Sequence, residues 1–175
     1  MAEEKKDPWL NWLALTTVIL AVCATLSTFK GGGYSTRSVL SQTQASDQWA
    51  FYQSKSIKGY LYEIQKDQLD LEAKVAPASL AAESRAEYKK RIDGYAAKIA
   101  KYDEEKKEIM AKAKGFEEIR DEAQGHSKTF GVAVIYLQIA ILLSSIAALL
   151  KKKPIWLAGL VLGAIGLGYF INGFL

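Results

Sequence analysis

The side chains best suited to chemistry crowd into residues 42–58, QTQASDQWAFYQSKSIK. At helical spacing Asp47 shares one side with Phe51 and Lys55, while Trp49, Tyr52 and Gln53 occupy neighbouring faces. A carboxylate, ammonium groups and aromatic or amide donors in that pattern could join subunits, hold a ligand or lipid headgroup, or line a vestibule. Subunit packing is the first expectation. Lys55 and Lys58 could attract an anion, but as two mobile point charges rather than a rigid fork of donors. Catalysis needs a nucleophile, an acid and base, or a metal set held together. One cysteine, Cys23, and one histidine, His126, supply neither a cysteine-rich nor a multi-histidine centre. No catalytic, cofactor-binding or metal-ligating residue is assigned, and a non-enzyme is expected. Gln138 is the other polar group of interest, because it sits inside an apolar run. Such an amide should face protein or a wet cavity, by bonding to another helix or lining a pore.

These groups must be positioned by membrane helices. The chain has 175 residues and a net charge of +4, yet its apolar residues are segregated into three runs, 9–29, 129–150 and 155–175. A run of about 21 residues rises about 31 Å as a helix, enough to cross a bilayer core. Residues 1–8 form a short charged tail, with Pro8 placed to start a helix and Trp9 and Trp12 suited to the headgroup level. A cleaved signal peptide is the rival reading of the first run; its length and the lack of a clean A-x-A site oppose that. Cys23 follows a valine, which fits a lipidation signal badly, and it reads as an ordinary apolar residue. Lys151, Lys152, Lys153 and Pro154 make a basic turn, 151–154, between the last two spans. Gly159, Gly163 and Gly166 then give the third span a small face for helix packing, against the second span or another subunit.

The middle of the chain is polar, with 17 basic and 16 acidic residues between positions 31 and 128. That balance excludes a phosphate-binding stripe and makes nucleic acid a poor partner. A glycine-rich hinge is expected over 30–35, with Ser35 or Thr36 as a cap, and an antiparallel, coiled-coil-like helical hairpin over 36–126, its tip near 76–78 and Ser79 capping the second arm. In the first arm Leu40, Thr43, Asp47, Ala50, Ser54, Ile57, Leu61, Ile64, Gln68, Leu71 and Val75 recur at spacings of three and four, strongly apolar from Ile57 onward. In the second arm Tyr88, Ile92, Tyr95, Ile99, Tyr102, Lys106, Ile109, Ala113, Phe116 and Ala123 follow a seven-residue repeat. Packing the two arms together should hide both stripes. The predicted fold is therefore an all-α membrane protein of three transmembrane helices, with this hairpin inserted between the first and second.

Placing the triple lysine in the cytoplasm puts the N-terminus inside and the polar arms outside. The segments STRSVLSQTQASDQWAFYQSKSIKGYLYE and YLQIAILLSSIAALLKKKPIWLAG resemble a bacterial membrane-protein family, the DUF4337-like family, known only as a domain of unknown function. The resemblance implies a multi-pass bacterial envelope protein and supplies no reaction, cofactor or catalytic residue. The functional expectation is a homo-oligomeric scaffold or interaction platform in the inner membrane, in contact with lipids. A small oligomeric channel or transport-associated pore, lined by Thr16, Thr17, Thr25, Thr28, Gln138 and Ser145, is the alternative. Recognition of an unidentified protein by the distal rod is a third reading.

Overall fold

The computed structural model describes residues 8–77 and 81–175. The charged tail before Pro8, and Ala78 and Ser79 at the expected tip, lie outside the described residues. Three helices account for nearly all the rest: α1 is Pro8–Val75, α2 is Ala82–Leu150 and α3 is Lys153–Asn172. Each contains a segment long and apolar enough to cross a membrane.

The expected architecture needs correction, because no extra hairpin segment lies between the first and second helices. Residues 36–75 simply continue α1, and 82–126 form the first part of α2. Gly31, Gly32 and Gly33 do not make a hinge. Each interior glycine weakens a helix by about 1 kcal/mol, but it does not stop the backbone bonding on, and only a proline would remove a donor. No glycine among the described residues takes a positive φ. Gly31 instead permits close approach: a Cβ there would stand 3.0 Å from the Phe130 Cβ. Thr36, a candidate cap, donates its hydroxyl to the Gly32 carbonyl at 3.1 Å within the continuing helix. The real break among the spans is the lysine turn, where Lys151 has φ 52° and Lys152 is extended before Pro154 enters the first turn of α3.

The described residues up to Leu40, together with Ile119–Leu175, form one packed unit. Its interior is built from small and branched side chains: Leu20 and Ala24 of α1 meet Leu137 and Ala140 of α2, while Leu13 clusters with Ala147 and Trp156. Cys23 is half-buried against the first of these clusters. The glycine face of α3 closes on α2 and on Leu20 of α1 inside the same chain. A Cβ at Gly159 would meet the Ala140 carbonyl at 3.2 Å, one at Gly163 the Leu20 side chain at 3.0 Å, and one at Gly166 the Leu137 side chain at 2.9 Å. The outside is apolar instead, with Trp12, Val18, Val22, Leu142 and Val161 exposed. A bilayer covers such a surface; water would not.

Aromatic groups close both ends of this unit. Trp9 and Trp156 lie 6.1 Å apart, and the Trp156 indole donates to the Thr16 hydroxyl at 3.2 Å. At the other end Phe130 is fully buried among Tyr34, Phe170 and Phe174. Such belts suit the two membrane–water boundaries.

Ser41–Glu118 form the second unit, in which the polar parts of α1 and α2 run antiparallel. On α2 the repeat beginning at Tyr88 turns inward, with Ile109 and Ala113 buried and its tyrosines half-buried. On α1 the inward face is not the apolar stripe. Ser41, Ala45 and Gly59 are buried there, and Tyr52, Lys55, Tyr62 and Lys66 are half-buried. Every stripe residue from Leu40 to Val75 is exposed. The small residues let α1 and α2 approach, and the long side chains lay their stems along α2 while keeping polar tips wet.

The α3 glycines set a packing test. Gly166→Leu should lower thermal stability in detergent by about 1–3 kcal/mol, because an overfilled contact forces α3 from α2. Gly168→Ala, where a Cβ meets nothing within 4 Å, should leave the melting midpoint nearly unchanged.

Candidate functional site

The stretch 42–58 is divided by the helix into two faces. Trp49, Tyr52 and Lys55 are half-buried toward α2, whereas Asp47, Gln53 and Lys58 are exposed. The Trp49 indole donates to Glu117 Oε1 at 2.8 Å and its ring meets Tyr52 edge-on at 5.6 Å. Lys55 Nζ lies 2.6 Å from Glu105 Oε2, and also over the Phe51 and Tyr102 rings at 5.2 and 5.4 Å. The ammonium thus bridges the helices between a carboxylate and two aromatic faces. Glu105 is held below its ordinary carboxyl value, first by bonding from Lys55 and then by the charges of Lys55, Lys101 and Lys58, with desolvation opposing them.

Further along, Tyr62 is stacked on Tyr102 and tilted against Tyr95, and the Lys98 ammonium sits 4.6 Å from its ring centroid. These contacts zip one helix to the other. They engage Trp49 and Lys55 inside the chain and leave Asp47, Gln53 and Lys58 facing outward.

Glu105 and Glu117 are partners that the apolar pattern alone did not single out, whereas Tyr102 belongs to the seven-residue repeat of the second arm. A signal for them existed: Ser41, Gln48, Lys55, Tyr62 and Leu69 recur every seven residues, interleaved with Ala45, Tyr52, Gly59 and Lys66. That second seam is small, aromatic and cationic, so hydrophobicity ranks it below the stripe beside it.

In the first unit, the boundary end holds a second constellation. His126 Nδ1 lies 2.9 Å from the Gly173 carbonyl, which can only accept, so the proton belongs on Nδ1. The His126 ring stacks on Tyr34 at 4.7 Å, and the Ser127 hydroxyl donates to the Gly31 carbonyl at 3.1 Å. A Cβ at Gly173 would stand 2.8 Å from the Phe130 ring. This arrangement latches the end of α3 to α1 and α2 through one histidine and one phenylalanine.

Gln138 is exposed on α2, about 14 Å along the second apolar run and so near its middle. Thr16, Thr17, Thr25, Thr28 and Ser145 donate their hydroxyls to carbonyls of their own helices. Recesses in the two units are open grooves of about 270–630 Å³; one runs beside Lys30, Gly32, Gly33 and Arg37, another beside Asp70, Tyr88 and Ile92. Among the described residues no three histidine, cysteine or acidic side chains gather as a metal site.

The geometry defines a class before it defines a function: this is an all-α, multi-pass membrane protein with three apolar spans. More particularly, the chain belongs to the family described as a domain of unknown function, DUF4337, which residues 9–175 match. No curated protein and no solved structure matches it.

The Glu105 pairing carries a pH dependence whose sign is fixed. A carboxyl lowered on folding stabilises above its unfolded value, near 4.5, and that contribution is lost as pH falls through the folded value. Acidification across this window should lower the temperature at which the tyrosine near-ultraviolet dichroism disappears. The drop should be smaller in Lys55→Met, which has no ion pair for protonation of Glu105 to break.

Proposed function

We propose that this protein is a non-enzymatic, homo-oligomeric helical scaffold or interaction platform of the bacterial inner membrane. One observation carries the reading. In the polar part of α1, Ile57, Leu61, Ile64, Leu71 and Val75 remain between 54% and 73% exposed, because α2 is packed on another face. An aligned apolar stripe in a segment otherwise rich in charge calls for company. Gln138 supports the same reading, since an exposed amide at membrane depth gains from a neighbouring subunit's polar group. The α3 glycines are used within the chain, so assembly through the polar part of α1 is the economical alternative to assembly through α3. Mass measurement in a mild membrane mimetic should find more than one copy per particle; a strictly monomeric particle at working concentration would remove the proposal.

The proposed orientation keeps the N-terminus and the lysine turn cytoplasmic and the polar arms extracytoplasmic. Its support is the cluster Lys151, Lys152 and Lys153 at one boundary against Lys30 and Lys128 at the other. In a Cys23→Ala background, Ser54→Cys should react with an impermeant thiol reagent added to intact cells, and Lys152→Cys should react only after lysis. The opposite pattern would invert the topology.

A further inference from the structure

The uncovered stripe on α1 has a sharper geometry than exposure alone conveys. Ile57, Leu61, Ile64, Gln68, Leu71 and Val75 follow one another at intervals of four, three, four, three and four, the spacing of a seam that packs knobs into holes. All six are exposed, and α2 meets α1 through the separate face bearing Ala45, Gly59 and Tyr62. The stripe begins well past Phe29, where the first apolar run ends, in a charged part of the helix that lipid does not serve.

Resting on the oligomeric reading above, we propose that this stripe is the seam joining three or four copies of the chain, parallel and in register, with Gln68 meeting its own counterpart. Three features select a second copy as the occupant. First, the Gln68 amide both donates and accepts, so identical side chains in one layer satisfy each other. In an antiparallel pairing of the same stripe Gln68 faces Ile64, leaving the amide without a partner. Among the described residues Gln68 makes one side-chain hydrogen bond, an amide N–H donating to Glu72 Oε1 at 3.1 Å. Second, copies inserted with one topology send α1 out of the membrane in one direction, so the parallel arrangement needs no further contact to impose it. Third, six side chains each uncovering on the order of 100 Å² give roughly 600 Å² per copy, somewhat under the roughly 800 Å² per partner of a stable complex in solution. Confinement to one membrane raises the effective concentration and lowers that requirement.

The residue types also set the number of copies. Over the Ile57–Ile64 layers Leu61 occupies one seam position while Ile57 and Ile64 occupy the other, the distribution that favours three or four strands over two; Val75 and Leu71 at the far end have the reverse distribution, so the number of copies is carried by the Ile57–Ile64 layers. Asp67 and Glu72 flank the far end and bring like charges near each other between neighbours. Both are exposed, so water and salt screen that repulsion, and it is minor beside six buried side chains.

The test uses the full-length protein in native membranes, with Cys23→Ala removing the one natural thiol. With a short bismaleimide, Ile64→Cys and Leu71→Cys should each link to an identical copy as a covalent dimer, and Ile64→Cys combined with Leu71→Cys, which has two thiols per chain, should yield ladders ending at three or four chains. Ala97→Cys, on an exposed face of α2, should stay unlinked. Ile64→Lys combined with Leu71→Lys should weaken assembly at least tenfold while retaining wild-type helicity, since neither residue packs inside the chain. Wild-type protein that assembles, with no stripe crosslinks and an unaffected double-lysine variant, would overturn this seam and leave the oligomeric reading standing. Linking of Ile57→Cys only to Val75→Cys would overturn the parallel register. A monomeric wild type would overturn both.

Discussion

Close approach along α2 is the constraint on which the structure depends. Ala113, Phe130, Ala133, Leu137, Ala140, Ser144 and Ala147 of this helix are completely buried, and both α1 and α3 pack on it. Most of these residues are small, so backbone meets backbone and dispersion replaces the hydrophobic driving force that lipid cannot supply. Phe130 is the exception in size, and glycines at 31 and 173 make room for it. Because α2 continues from charged to apolar sequence without a break, one seven-residue rhythm serves both chemical settings.

The two units reach opposite relations with their solvent. In the apolar unit the interior is small, the exterior is greasy, and the bilayer completes the packing. In the polar unit α1 turns serine, alanine, glycine, tyrosine and lysine toward α2 and leaves Ile57, Leu61, Ile64 and Leu71 outside. A soluble pair of helices that minimised exposed apolar area would do the reverse. The inward choice follows from fit: Ala45 and Gly59 admit α2, and Lys55 is compensated by Glu105 and two aromatic rings. The interior is thereby satisfied, and the uncovered stripe becomes the chain's unfinished surface.

Particular residues show where sequence reasoning reads this protein well. The α2 repeat from Tyr88 through Phe116 faces inward as its periodicity indicates, because α2 offers only one coherent stripe. Periodicity on α1 is equally strong but names two seams, and hydrophobicity selects the one that faces away. The glycine run at 31–33 looks like punctuation, yet punctuation is local, and the helix is decided by continuing backbone bonds and by Phe130 packed against Gly31. The partners of Trp49 and Lys55 depend on the antiparallel register, which no short motif specifies.

By itself the sequence determined three apolar spans, an all-helical chain and a lysine turn between the last two spans, because length, hydropathy and proline placement act locally. Tertiary structure alone decided that the polar segments extend α1 and α2 rather than form an inserted hairpin. It also decided that the α3 glycines seat against α2, and that the isoleucine–leucine stripe of α1 remains uncovered. Those outcomes turn on which surfaces fit at close range, a property of paired shapes that no single helix carries in its own residue pattern.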